Sequence, residues 1–333
     1  MFAAMASVAL ASCTKNEPVA TVEQGDAILF NSPVVAPATK ATNNADAIAF
    51  PHDDFGAYAW YAEEDYTGSD EQLYLKNRTF VDKTGYWGTD NAYWPKNGKL
   101  TFVAYAPVTD GPTVDEANTG ASKLVVSYTV KDVIGEQVDV LYSDWVENKS
   151  SKDVGYSTEN KFGDAGVDIP FHHALSAVKF QMKAATTAVA PLMKIKGITL
   201  SGVDKTGTLT VPYDGTPRWS NGELQGATYT VLADAEIEFD DEEIVNLNTG
   251  TQFILLPQNG TANLNVDYFI KADGGDWLPQ STSTPIELPM DWQIGTRYTY
   301  TLVFSLDEIK LAPVVAEDWT DKDPALDDVA GVL

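Results

Sequence analysis

The sequence predicts an all-β protein built from β-sandwiches, and three observations carry that expectation. Apolar residues recur with a period of two along most of the chain. Turn dipeptides punctuate these runs: Asn97-Gly98, Asp110-Gly111, Asp214-Gly215, Asn221-Gly222, Asn259-Gly260 and Asp273-Gly274. No amphipathic stretch continues beyond two helical turns. Short alternating strands separated by such turns favour sandwiches over a parallel α/β sheet.

The chain opens with Phe2 to Ala11, short, apolar and uncharged, which ends in Leu10-Ala11-Ser12-Cys13. This run is too short for a spanning helix, which needs roughly 20 apolar residues. It reads as the core of a secretory signal. Small residues before Cys13 fit a lipoprotein signal, whose cysteine is acylated after cleavage. Ala9-Leu10-Ala11 also fits an ordinary cleavage site that would leave Cys13 a free thiol. Residues 1–13 are thus assigned to the signal. Residues 14–44 are assigned to a tether, a short β-like segment at Ala27 to Phe30 with Val34-Val35 beyond it, and a small, polar linker.

Further on, Tyr298, Tyr300, Leu302, Phe304 and Leu306 fall on one face of a predicted strand. Leu264, Val266, Tyr268 and Ile270 alternate with Asn263, Asn265 and Asp267, and Val178, Phe180 and Met182 with Lys179, Gln181 and Lys183. Such strands bury one face and wet the other. In Ile195 to Leu200 the apolar parity slips at Gly197, which predicts a β-bulge. At 333 residues the chain has room for about two domains. The Ala- and Thr-rich stretch from Ala184 to Pro191 places the division, giving 45–185 and 186–322, with an acidic then apolar tail at 323–333.

Composition excludes some functions. The 48 acidic against 22 basic side chains give a net charge of −26. Nucleic acid is therefore not an expected partner, because phosphate binding needs a basic surface. With Cys13 alone, no intramolecular disulfide can form.

The residues also offer little catalytic equipment. His172 and His173 are neighbours on a predicted strand, so they point to opposite faces and cannot share a metal. His52 stands beside Asp53 and Asp54, but packing or hydrogen bonding is the leading role for all three histidines. No nucleophile elbow, zinc-protease motif, Walker loop or dinucleotide fingerprint occurs. Asp234, Glu236, Glu238, Asp240, Asp241, Glu242 and Glu243 read as the wet face of a strand and a turn, with calcium as the competing use. Neither an enzyme nor a cofactor is expected. Tyr58, Trp60, Tyr61, Tyr86, Trp87, Tyr93 and Trp94 suit core packing first, and stacking on sugars second.

Several segments together resemble one family. Tyr93-Trp94-Pro95 through Leu100-Thr101-Phe102-Val103-Ala104-Tyr105-Ala106-Pro107, then Val140 to Asp144, then Phe171-His172-His173-Ala174-Leu175-Ser176-Ala177-Val178-Lys179-Phe180 resemble Bacteroidales fimbrillins, the Mfa-like branch of type V pilins. Ile195 to Gly202, Leu255 to Gln258, Trp292 to Tyr300 and Ile309 to Trp319 follow in the same order. The resemblance implies two tandem transthyretin-like β-sandwich domains, export as a lipoprotein of the outer membrane, and assembly into surface fimbriae by donor-strand exchange. It implies processing between Lys40 and Ala41, with Ile28, Phe30 and Val34 on the displaced strand. Partners would be other fimbrial subunits, the membrane through Cys13, and a surface glycan or protein receptor. The short Val329 to Leu333 end points to a tip or accessory subunit. The alternative expectation is a glycan-binding surface lipoprotein that uses exposed rings, Trp87 among them.

Overall fold

A computed structural model describes residues 27–36, 48–69, 71–154, 166–222, 227–233, 235–239, 243–247, 252–271, 275–282 and 284–319. Cys13, Lys40, Ala41, Asp234, Asp240, Asp241, Glu242, Asp273-Gly274 and the tail at 323–333 lie outside the described residues.

The chain is all-β. Its first strands are β1 (Ala27–Phe30), β2 (Val34–Val35), β3 (Ile48–Ala49), β4 (Asp54–Ala62), β5 (Gln72–Asp82), β6 (Trp87–Tyr93) and β7 (Lys99–Ala106). Next come β8 (Thr113–Val114), β9 (Lys123–Thr129), β10 (Leu141–Ser143), β11 (Val146–Lys149), β12 (Pro170–His173) and β13 (Ser176–Ala184). The following strands are β14 (Met193–Val203), β15 (Thr206–Pro212), β16 (Arg218–Asn221), β17 (Ala227–Leu232), β18 (Ile237–Glu238), β19 (Val245–Asn246) and β20 (Phe253–Leu255). The chain closes with β21 (Asn259–Lys271), β22 (Trp277–Ser281), β23 (Ile286–Asp291), β24 (Thr296–Phe304), β25 (Ile309–Leu311) and β26 (Val315–Asp318). Among the described residues the only helical pieces are 3-10 turns at Ile134–Glu136 and Ala190–Leu192.

These strands form four sheets among the described residues. The largest has the order β1-β6-β5-β4-β7-β10-β12-β2-β3, with β11 also on β7. A second is built on β13 and β24, which run parallel in register from Ala177↔Arg297 to Ala184↔Phe304. A third is built on β14 and β21. The fourth, β16-β15-β9-β8, takes strands from both halves of the chain. The sequence places a division between residues 185 and 186; the change from the first sheet to the second falls earlier, at Ala174-Leu175. The β9–β15 pairing then ties the two halves from Thr129↔Thr206 to Lys123↔Pro212.

Alternation is realised where the residues predicted it. Val178, Phe180 and Met182 are buried on β13, and Tyr298, Tyr300, Leu302 and Phe304 on β24. The β14–β21 register slips between Ile195 and Gly197, the expected bulge. Leu306 departs from its predicted face: β24 ends at Phe304, and Leu306 is 47% exposed in the turn beyond. Asn259-Gly260 also departs, because it opens β21 and pairs with Asp291 and Met290 of β23 rather than making a hairpin turn. Asn97-Gly98, Asp110-Gly111 and Asp214-Gly215 do turn, with Gly98, Asp110 and Gly215 at positive φ.

Two cores share one wall. β4 sends Phe55, Ala57 and Ala59 into the first core and Tyr58 and Trp60 into the second. β7 does the same with Leu100, Phe102 and Ala104 on one side and Val103 and Tyr105 on the other. The second core continues through the other three sheets to Trp319, the last described residue, which is 1% exposed. Its indole lies flat on the His173 ring at 3.9 Å, and the Trp319 backbone N–H donates to the Gly295 carbonyl. Trp319 thereby ties β12 to the start of β24. Trp319→Ala is expected to lower unfolding free energy by about 3–5 kcal/mol, the range for emptying a buried aromatic site. Leu306→Ala should stay within about 0.5 kcal/mol, as exposed positions do. Denaturant titration of both variants checks the contrast.

Candidate functional site

The N-terminal segment 27–36 is the most unusual feature of the first sheet, because it sits at both of its ends. On one side β1 pairs antiparallel with β6, Leu29 opposite Gly88 and Phe30 opposite Trp87. On the other, Phe30 bridges Val167, with Val167 N–H donating to the Leu29 carbonyl at 2.9 Å and Asn31 N–H to the Val167 carbonyl at 3.1 Å. Further along, β2 runs parallel to β12 and antiparallel to β3. One short segment therefore closes the sheet on itself and satisfies backbone groups that would otherwise form open edges.

Side chains fix the closure. Phe30 is fully buried and meets Phe55, Phe80 and Phe102 edge-on, at centroid distances of 5.3, 4.8 and 5.3 Å. Edge-to-face contact at this range is the favoured aromatic geometry. Ile28 is fully buried in the same core. Val34 is only half-buried, and its neighbour Val35 carries the apolar contact at 2% exposure. The Asn31 side chain clamps the facing segment, donating to Asp168 Oδ1 at 2.6 Å and accepting from Gly166 N–H at 2.5 Å. Gly166 is required there, since a Cβ would lie 2.5 Å from the Phe30 carbonyl carbon. Nothing in the residue pattern announces this clamp, because its two halves are far apart in sequence.

Lys40 and Ala41 belong to the connection between β2 and β3, whose ends are held together by the Val35↔Ile48 pairing. Cys13 precedes the described residues.

The histidines are packed groups. His173 Nδ1 donates to the Asp139 carboxylate at 2.9 Å beneath Trp319. His52 Nε2 donates to the Asp139 carbonyl at 2.7 Å, and burial pushes its pKa below the usual 6.5 against the opposing pull of Asp139. His172 faces the other way, tilted against Tyr142, with Nε2 3.1 Å from Asp144 Oδ1. Among the described residues no group of three or more His, Cys, Asp or Glu is placed to hold a metal. In the acidic run, Glu236 and Glu238 lie 3.6 and 2.9 Å from Lys194 Nζ.

Four of the seven aromatic residues grouped near the N-terminus are core, while Tyr61, Tyr86 and Tyr93 are half-buried. Tyr58, Trp60, Trp87 and Trp94 are at most 7% exposed. Trp87 stacks on Phe55 at 5.5 Å and meets Phe50 edge-on at 5.2 Å, so the competing expectation of an exposed, sugar-stacking Trp87 is overturned: its ring is packed into the first core.

Comparison with known proteins agrees with this architecture. A fimbrial protein from Bacteroides vulgatus superposes with a TM-score of 0.64 at 17% identity, covering 88% of this chain and 99% of the other. Candidate cell adhesion proteins from Bacteroides ovatus and Bacteroides uniformis give TM-scores of 0.52 and 0.51 at 16% and 17% identity. They cover 89% and 90% of this chain and 99% and 100% of theirs. At such identities the likeness establishes the fold. No curated protein matches the chain. A fimbrillin-like family profile matches residues 39–319, which is most of the sequence. The chain therefore belongs to the fimbrillin-like family.

Proposed function

We propose that this protein is a structural subunit of cell-surface fimbriae, of the tip or accessory kind, exported as a lipoprotein through Cys13 and joined to its neighbours by strand exchange. The observation that carries the proposal is the seat of residues 27–36. That segment closes the first sheet from both sides, yet a single cut after Lys40 would detach it covalently from Ala41 and everything beyond. Its loss would leave the Phe55–Phe80–Phe102 cavity and two unpaired strand edges exposed. A strand from another subunit would restore ladder bonds and alternating side chains together. Burying about four apolar side chains at ~1.5–3 kcal/mol each supplies on the order of 10 kcal/mol before ordering costs. Such a joint needs no disulfide, in keeping with the single cysteine.

In this proposal the partners are other fimbrial subunits, the outer membrane through the lipid on Cys13, and a surface receptor. The domains are 45–185 and 186–322, and no catalysis is assigned. The fimbrial and adhesion proteins of the same fold support the surface location.

Mass spectrometry of the N-terminus tests the processing. Protein from outer membrane should begin at an acylated Cys13, and protein from sheared fibres at Ala41. Fibre material that still contains Phe30 would overturn strand removal. Phe30→Ala in the uncut precursor is expected to cost about 3–5 kcal/mol in a denaturant titration. Val34→Ala should cost less, because that side chain is only half-buried.

A further inference from the structure

We infer that the β16-β15-β9-β8 sheet carries a binding site for a neutral saccharide, at a cavity of about 260 Å³ beside β8 and β9. The cavity is lined by Asp110, Gly111, Thr113, Ser127, Tyr128, Thr129 and Lys131. Strand alternation sets the face of the sheet to which Ser127 and Thr129 belong. Leu124, Val126 and Tyr128 of β9, and Leu209 and Val211 of β15, point into the core. Ser127, Thr129, Thr206, Thr208 and Thr210 therefore take the opposite face.

Register lines these hydroxyls up. Thr113, Ser127, Thr208 and Ser220 occupy one row across all four strands. Ser127 Oγ and Thr208 Oγ1 are 3.2 Å apart, and Thr129 and Thr206 Oγ1 atoms 3.1 Å apart in a parallel row. Each hydroxyl keeps further donor or acceptor capacity beyond that one contact.

The rim adds one charge of each sign. Asp110 is exposed at φ 56°, held there by a turn in which Gly111 leaves no room for a Cβ against the Pro107 carbonyl. Lys131 is exposed across the cavity, and among the described residues neither group has an ion-pair partner. A carboxylate acceptor, an ammonium donor and the hydroxyls of Thr113, Ser127 and Thr129 match the vicinal hydroxyls of a sugar ring. The opposed charges cancel, and the net −26 of the chain disfavours an anionic ligand. The chemistry therefore selects a neutral sugar over an acidic one. This site is separate from the seat of residues 27–36 and does not depend on strand removal.

Saturation-transfer NMR of the full chain with the methyl glycosides of glucose, galactose, mannose and N-acetylglucosamine tests the assignment. At least one should receive saturation and compete for the same protein signals. Thr113→Val and Thr129→Val remove hydroxyls while keeping strand propensity, and Asp110→Asn keeps a residue that tolerates positive φ. Each variant should melt like the parent and weaken binding about tenfold, as expected for one lost ligand hydrogen bond. No transfer to any of the four glycosides would overturn the site. So would binding that persists unchanged in all three variants, or tighter binding of methyl glucuronide than of the neutral sugars.

Discussion

The constraint on which the structure rests is the burial of β4 and β7 on both faces. Most strands of an antiparallel protein face water on one side. Here the same two strands serve two cores, so neither core is complete without them. The division of labour is visible in side-chain size. Toward the second core β4 presents Tyr58 and Trp60, while toward the first it presents Phe55 but otherwise Ala57 and Ala59. Small residues on one face let rings from other strands approach closely. The first core therefore depends on rings brought by β1, β5 and β7, namely Phe30, Phe80 and Phe102.

That dependence explains why so short an N-terminal segment is so firmly held. Phe30 occupies space that β4 leaves unfilled, and the flanking backbone pairs with β6 on one side and with Val167 on the other. Losing the segment costs packing and hydrogen bonds at once, and neither can be recovered by a local rearrangement of the remaining strands. An interior cavity ringed by phenylalanines stays apolar and dry. The replacement that restores both terms must be another extended chain with an aromatic or large aliphatic side chain at the Phe30 position. Specificity in such an exchange would reside in one pocket, while the ladder bonds, common to any sequence, supply affinity without discrimination.

Alternation made the buried faces of β13, β21 and β24 legible, and a lapse in alternation located the Gly197 bulge. Alternation reports which face of a strand is covered, not which strand lies beside it. Hence the parallel pairing of β13 with β24, and the β9–β15 pair that unites the halves, are visible only in the structure. The same limit applies to the histidines. Their opposite orientations follow from adjacency on a strand, whereas Asp139 and Trp319 as partners of His173 depend on tertiary contact. Turn dipeptides mislead for a different reason. Gly260 does adopt positive φ, but at the start of β21 rather than in a hairpin turn. Val34 and Val35 show the finest limit: two adjacent identical side chains differ only in which way the strand turns them.

The acidity of the chain bears differently on its two surfaces. Subunits of charge −26 repel one another, so encounter between them gains nothing from long-range attraction. A joint formed by strand exchange is insensitive to that repulsion once made, because its energy comes from apolar burial and backbone pairing at short range. The hydroxyl face of β9 and β15 is likewise independent of net charge, since Ser127, Thr129, Thr206 and Thr208 exchange hydrogen bonds with neutral groups. Placing the aromatic seat on one sheet and the hydroxyl face on another leaves each free to be filled without altering the other.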